Sequence, residues 1–529
     1  MPPLAAFRIV ANVENAASPA AAGSILSANA LARRRRLTTE SAIKAFFGSN
    51  ALVAIVVLAL ITIFLFREGF GFFGQNLANL RLYRRAGLEY VDIIRAQAQQ
   101  HAALSRKLGE IRQLEARNTA PGTSLEAFDQ FAAAFSDTGE FLNALVSDSN
   151  DQAVALREGL IAAGGQPAVS SSEGESAAAA PADPDEAMRA LRSADDKFPA
   201  IAAGMKAKID NLIANPPPLT NPPAEEAFEK WKTNTRQYLE QLPVTEKQLR
   251  AWNPNQPVRA YRAITSFLFG TEWITASFWQ DWYGIVPLLV GSMMVAAVAL
   301  LIAVPLGVCS AIYVSEVAER GEKSLIKPYI EFISAIPSVV LGFFGIAVVG
   351  QAVRALSQAS FMKWVPFFPI SERLNVFTAG CLLALMAVPT IFTLAEDALR
   401  NVPRGFKEAS YALGANRLQT IMRVLVPASL SGIISAILLG LGRVIGETMV
   451  VLLCAGNRIA IPDFTQNLGA FFQPVHTMTG IIAQEMGEVV RGSIHYRALF
   501  MVGLVLFALT LGINYLAQRL VARYRMSIG

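Results

Sequence analysis

Charged residues are scarce in this sequence. Asp, Glu, Lys and Arg fill 16% of its 529 positions, where a soluble protein carries about 25%. Cysteine is scarcer still. Cys309, Cys381 and Cys454 each lie within an apolar run, and the long polar region between residues 71 and 280 has none, so no disulfide framework holds that region. His101, His476 and His495 are scattered, and no Cys/His group has metal-ligand spacing; neither a metal nor another cofactor is expected. No Gly-Lys dipeptide occurs, which excludes the G-x-x-x-x-G-K-[ST] loop of an ATPase. No nucleophile stands beside a base, so an enzyme is not expected either. The one basic run, Arg33–Arg36, borders an apolar segment rather than exposed aromatics. It reads as a topology signal, not as a nucleic-acid surface.

What the chain has in abundance is apolar residues, 53% of the total. A membrane-spanning helix needs roughly 20 of them in succession. Six segments qualify: Ala45–Phe66, Gly284–Val314, Leu325–Val353, Asn375–Leu394, Ala428–Ala455 and Ala498–Leu516. The fold class is therefore an all-α membrane protein embedded in a lipid bilayer. The first segment lies far from the N-terminus and has no small-residue cleavage site after it, so it reads as a retained helix rather than a signal peptide. Arg33–Arg36 place the N-terminus in the cytoplasm. Alternation then puts Glu316–Ser324, Arg400–Pro427 and the C-terminal tail on the same side, and these carry most of the basic residues near helix ends. The expected division is a cytoplasmic segment 1–44, partly disordered and patternless over 1–30; the first span 45–66; an extracytoplasmic insertion 67–280; and a five-span core 281–525.

The insertion has a helical pattern. Residues 76–117 read as one long helix with Leu104, Leu108 and Ile111 on its apolar side, and 124–163 as a second. Phe128, Phe131, Phe135, Leu142 and Leu145 recur at spacings of three, four, seven and three, which puts them on one helix face. A flexible linker of Gly, Ser, Ala and Pro is expected over 164–185. Shorter helices follow near 186–214 and 223–242, separated by Asn215-Pro216-Pro217-Pro218.

Arg443 and Glu447 are ionisable residues in an apolar segment, four positions apart and so expected on one helix face. Such residues are costly in a membrane and mark substrate paths; the alternative is a structural ion pair. Pro337 and Gly342, with Gly345, are a possible break in the third span, where freed backbone N–H groups would suit an anion. Close helix packing through small residues is the other reading, and Pro389 invites the same two. Glu485, Glu488 and Arg491 lie in the last outer loop, solvated or available to a partner.

Between the fourth and fifth spans stands Glu408-Ala409-Ser410-Tyr411-Ala412-Leu413-Gly414, then nine residues, then Val424-Leu425-Val426-Pro427. This stretch, within the loop 400–427, closely resembles the EAA loop of bacterial ABC importer permeases. Its spacing is kept over 20 positions, with Ser410 for Ala and Val424 and Val426 for Ile and Leu. Glu408–Tyr411 can open a helix, where acidic residues suit the first turn. Gly414 permits a close turn, and Pro427 suits the start of the next span. The resemblance implies that this short helix couples to separate ATPase subunits, with Glu408, Ala409, Gly414 and Pro427 as the coupling residues.

A more particular resemblance lies in Ile333–Gly345, which looks like the "AIPSVVYGLWG" segment of phosphate importer permeases, and in Leu441–Met449, which looks like their "GRAxGETM" segment. Gln484–Glu488 and Gly492–Tyr496 continue the match, and the "GETM" form favours the PstC-type subunit. The resemblance covers 281–525 and the first span with Phe66-Arg67-Glu68-Gly69, but not 1–40 or about 71–262. It implies the six-helix ABC permease fold in the bacterial inner membrane, moving phosphate inward by alternating access. It also implies partners: ATPase subunits, a second permease subunit and an extracytoplasmic phosphate-binding protein. Arg443 and Glu447 become the expected substrate path. The competing expectations are a permease for sulfate, molybdate or phosphonate, and a membrane sensor built on the outer helical region.

Overall fold

The computed structural model describes residues 19–118, 125–163 and 184–524, apart from 276, 278, 363, 366, 367 and 371. The linker expected at 164–185 falls largely outside these residues, as does 1–18 of the disorder expected at 1–30; residues 19–30 are helical instead. The chain divides into two units, residues 1–67 and 68–529. In the first, the described residues belong to helix α1 (Pro19–Arg85). Six helices are long and apolar enough to cross a membrane, as expected: Ile43–Arg85, Val286–Val317, Ser338–Gln358, Val376–Arg400, Arg417–Gly446 and Ile494–Arg519.

The second unit opens with a helical bundle made of α2 (Leu88–Asn118), α3 (Glu126–Asp137), α4 (Glu140–Ala163), α5 (Pro184–Arg192), α6 (Ala194–Ala214) and α7 (Pro222–Ala251). Two long helices anticipated in the sequence are each divided. The first breaks at Gly87, whose φ of +75° suits glycine. The second breaks at Thr138–Gly139, where a Cβ on Gly139 would lie 2.5 Å from the His101 ring. The amphipathic face survives the break: Phe128, Phe131, Phe135, Leu142 and Leu145 are all buried. Phe131, Phe135 and Phe228 pack around Trp231, whose indole N–H donates to the Leu104 carbonyl at 3.0 Å.

Helices α2 and α7 run antiparallel. Asn221, at the start of α7, donates to the carbonyl of Leu114 near the end of α2, while Trp252, just past α7, packs on Tyr90 near the start of α2. The buried Glu115 carboxylate accepts from the Thr220 N–H at 2.8 Å and the Asn221 N–H at 3.1 Å, satisfying donors at the α7 N-terminus. Burial would raise the Glu115 carboxyl, but a hydrogen bond from the Thr220 hydroxyl, together with these two, prevails and holds it low.

The bundle returns through α8 (Tyr261–Leu268) and a two-stranded ribbon, β1 (Trp273–Ile274) antiparallel to β2 (Trp282–Tyr283). These are features the sequence pattern does not reveal. The ribbon is closed by Gly270 and Gly284, where a Cβ on Gly284 would come within 2.3 Å of the Gly270 carbonyl carbon. Asn76 donates to the Ala263 carbonyl at 3.0 Å and Asn79 to that of Asp281 at 3.2 Å. Trp279 donates to Asp92 at 3.0 Å, with the Arg95 guanidinium over its ring.

The core comprises α9 (Val286–Ile312), α10 (Arg320–Ala335), α11 (Ser338–Phe344), α12 (Gly350–Gln358), α13 (Val376–Arg400), α14 (Arg404–Ala412), α15 (Arg417–Thr420), α16 (Val426–Gly446), α17 (Met449–Cys454), α18 (Met478–Glu485) and α19 (Ile494–Tyr524). Helix α13 is central and packs on α9 and α16. Gly380 lets α9 come close, since a Cβ there would meet Val298 at 2.5 Å. Wide π-type turns close α9 at Tyr313–Val317, follow α11 at Gly345–Val349 and precede α16 at Ile421–Leu425.

His101 makes the bundle sensitive to pH. Its ring stacks on Phe135, and its Nε2 lies 2.9 Å from Thr138 Oγ1. The Thr138 hydroxyl donates to the Phe135 carbonyl, so Nε2–H is the donor to Thr138. Burial holds the imidazole below its ordinary 6.5, opposed by a hydrogen bond at Phe135. With the folded-state value lower than the unfolded one, the stabilisation is complete above pH about 6.5 and is lost as pH falls toward the folded value. The tryptophan-fluorescence melting temperature of the purified protein is expected to drop between pH 7.5 and 5.5, with a flatter slope in His101→Asn. An unchanged slope in the variant would assign the pH dependence to other groups.

Candidate functional site

The expected Arg443–Glu447 pair does not form. Helix α16 ends at Gly446, and Glu447 leaves helical geometry with ψ 133°, so spacing of four no longer puts the two on one face. Among the described residues no ion pair joins them. The exposed Arg443 guanidinium instead reaches Thr390 Oγ1 on α13 at 3.2 Å. Glu447 sits in the break before α17. Its Oε1 accepts from the Met449 N–H at 3.2 Å, and its carbonyl accepts from the Thr479 hydroxyl at 2.9 Å. The fifth span, anticipated as continuous to Ala455, is thus interrupted.

The third span is interrupted too. The stretch anticipated as Leu325–Val353 divides at Ile336 and Pro337, whose ψ values of 124° and 138° are extended. Pro337 then stands immediately before α11. Gly342 does not break the helix; it lies inside α11. A Cβ on Gly342 would come within 2.4 Å of Leu453, and its carbonyl accepts from the Cys454 thiol at 3.3 Å. A Cβ on Gly345 would sit 2.5 Å from Cys454 Sγ. The two glycines therefore bring the broken third span, through α11, against α17 of the broken fifth.

Buried polar groups gather at the start of α18. Ser292 accepts from the Met478 N–H at 3.0 Å. His476 Nδ1 accepts from the Thr477 N–H at 3.0 Å, leaving Nε2–H to donate to Gln484 at 3.1 Å. Burial of His476 lowers its imidazole from the ordinary value, keeping it neutral. Glu485 pairs with His495 at 2.7 Å.

At the opposite end of these helices lies the loop 400–427. Helix α14 starts at Arg404 behind Pro403, earlier than the Glu408 start anticipated, so Glu408 stands in the second turn and the first-turn argument does not apply to it. Glu408 and Ala409 are exposed. Gly414 turns the chain at φ +82°, α15 is opened by a capping box between Asn416 and Gln419, and Pro427 occupies the first turn of α16. The buried Ser410 and Thr420 hydroxyls meet at 2.9 Å and hold the two short helices together. The most exposed large hydrophobic side chains here are Leu413, Leu418 and Met422, at 88%, 68% and 58% exposure.

Sequence reasoning missed the carboxylates that anchor this loop. Glu316 accepts from Lys407 Nζ at 2.7 Å and 2.8 Å. The fully buried Glu396 of α13 pairs with Lys327 of α10 and with Arg400, each at 2.9 Å. A carboxylate just beyond an apolar run was the available signal for Glu396.

The family model for "Binding-protein-dependent transport system inner membrane component" matches residues 303–526. A probable ABC transporter permease protein, YqgH of Bacillus subtilis, is 36% identical over 272 residues, 49% of this chain and 82% of its own. The phosphate transport system permease protein PstC of Pasteurella multocida is 30% identical over 272 residues, 50% of this chain and 82% of its own. PstC of Haemophilus influenzae is 30% identical over 277 residues, 49% and 84% respectively. An inward-facing structure of the MetNI methionine ABC transporter aligns with 46% of this chain and 95% of its own at 20% identity, with a TM-score of 0.33, too loose a superposition to bear on the site.

Two glycines of the loop are expected to respond oppositely to alanine. Gly414→Ala forces a side chain into the left-handed region, costing about 1–2 kcal/mol. Gly405→Ala, in the first turn of α14 with nothing within 4 Å of its Cβ, is neutral or stabilising by up to about 1 kcal/mol. Amide hydrogen exchange across 404–420 checks this. Equal protection in both variants would contradict the turn geometry.

Proposed function

Since the chain belongs to the binding-protein-dependent transport system inner membrane components, as an ABC importer permease of the Pst type, we propose that it carries inorganic phosphate into the cytoplasm. The observation that carries this reading is Arg443. It is an exposed guanidinium on a spanning helix, with a threonine hydroxyl 3.2 Å away and no carboxylate paired to it among the described residues. An anion crossing about 30 Å of hydrocarbon needs such a group, and a guanidinium meets phosphate oxygens with two parallel N–H donors. Glu447, in the adjoining break, accepts a hydrogen bond from a phosphate hydroxyl or steadies the neighbouring backbone. Pro337 marks the corresponding break in the third span; Gly342 serves close packing.

In this reading the loop 400–427 faces the cytoplasm with both termini, and residues 67–280 stand outside. Separate ATPase subunits dock against Glu408, Ala409 and the open side chains Leu413, Leu418 and Met422, with Gly414 and Pro427 setting the angle of the docking helix. A second permease subunit completes the path, and a soluble phosphate-binding protein delivers the substrate. Permeases named for phosphate transport among the relatives support phosphate over other oxyanions. Arg443 and Thr390 would also attract sulfate, molybdate or a phosphonate, and competition decides between them.

The test is ATP-dependent uptake of radiolabelled phosphate into vesicles holding this chain with its co-encoded partners, challenged with excess sulfate, molybdate and phosphonate. Competition by phosphate alone is expected; uptake of another oxyanion would discard the phosphate assignment. Arg443→Ala is expected to lose about 10- to 100-fold in uptake, the scale of one charge-assisted hydrogen-bonded contact, while the complex still assembles. Loss of assembly would give Arg443 a structural role instead.

A further inference from the structure

Four elements meet at the turn that ends α9. Lys407 of α14 holds the Glu316 carboxylate at 2.7 Å and 2.8 Å. Arg417 of α15 donates to the main-chain carbonyls of Glu316 and Val317, the groups that a helix C-terminus leaves open to cations. Lys323 of α10 donates to the Ser315 carbonyl at 3.0 Å. Ser315 itself donates to Glu316 Oε1 at 3.1 Å. One turn, Ser315–Val317, is thereby tied to both helices of the docking loop, to α10 and to the span α9.

The covalent route from α14 into the membrane is less direct. It passes through Gly414, at φ +82° with nothing within 4 Å of where its Cβ would be, and then through the wide turn Ile421–Leu425 before α16 begins. The Ser410–Thr420 hydroxyl contact bridges the first of these points. The ion pair is a direct link. The Glu316 side chain is only 9% exposed and that of Lys407 30%, so separating them strands a largely buried carboxylate, which is far more costly than parting two solvated charges. Helix α9 in turn packs along α13 at the centre of the core.

We propose that the Ser315–Val317 turn is the joint through which movement of the docking loop reaches α9 and α10, with the Lys407–Glu316 pair as its rigid link. Both are positioning residues: they touch neither substrate nor nucleotide. The proposal rests on the reading of loop 400–427 as the ATPase-docking element.

The experiment uses the complete transporter in proteoliposomes, comparing wild type, Glu316→Gln, Lys407→Gln and the exchange Glu316→Lys/Lys407→Glu. Three quantities are read: ATPase subunits retained on purification, ATP hydrolysed, and phosphate moved. Expected is that both single variants keep their ATPase subunits but move about tenfold less phosphate per ATP, the scale of a close charge pair's coupling, and that the exchange recovers most of the loss. Unchanged transport per ATP in the single variants overturns the proposal. Loss of the ATPase subunits also overturns it, because the pair would then support docking rather than transmission. An exchange variant as impaired as the single ones does the same. A wild-type complex that moves phosphate without ATP dependence refutes the docking reading itself, and the proposal falls with it.

Discussion

In hydrocarbon a helix gains little by hiding apolar side chains, because lipid tails are as apolar as leucine. What holds α9 and α16 against α13 is therefore shape. Small residues open grooves into which neighbours fit: Val298 of α9 fills the space over Gly380, and Ile391 of α13 fills the space over Gly440 of α16. With α13 packed on both sides, its lower end brings the buried Glu396 to Lys327, and its middle brings Thr390 to Arg443. The candidate path and the anchorage of the loop 400–427 both depend on the position of this one helix.

Interrupting a span is costly, since every backbone group in a membrane needs a partner. The fifth span meets that demand locally. The Glu447 carboxylate takes the Met449 N–H, and the Thr479 hydroxyl takes the Glu447 carbonyl. The break also separates Arg443 from the carboxylate that an unbroken helix would have placed beside it. A guanidinium left without a counter-charge attracts an anion, whereas a paired one is already neutralised. The interruption thus converts a structural pair into a candidate binding group.

The bundle α2–α7 obeys different physics. It has its own hydrophobic cluster, separate from that of the core, and is organised by aromatic side chains driven out of water. The segment that leads from it to the core is pinned to the bundle by the Trp279–Asp92 contact and to the end of α1 by Asn76 and Asn79, and the Gly270–Gly284 crossing closes it. The long polar insertion reads in the sequence as a small helical bundle, and its apolar stripe from Phe128 to Leu145 is buried as that pattern implies. The ribbon and α8 that join it to the core left no comparable periodic signal.

Hydropathy and spacing alone determined the six spans, because hydrocarbon thickness dictates the length of an apolar run and nothing distant alters that demand. The loop 400–427 was marked by a family resemblance carried by Glu408–Pro427, residues within 20 positions of one another, and the helical face of the insertion by its local period. The tertiary structure decided where spans break, that Arg443 faces Thr390 rather than Glu447, and that Glu316 receives Lys407 from 91 residues away. These depend on which helices lie side by side, and that is set by the mutual fit of many small side chains. No single segment carries that information, so the charges that matter most in the core acquired their partners only when the helices packed.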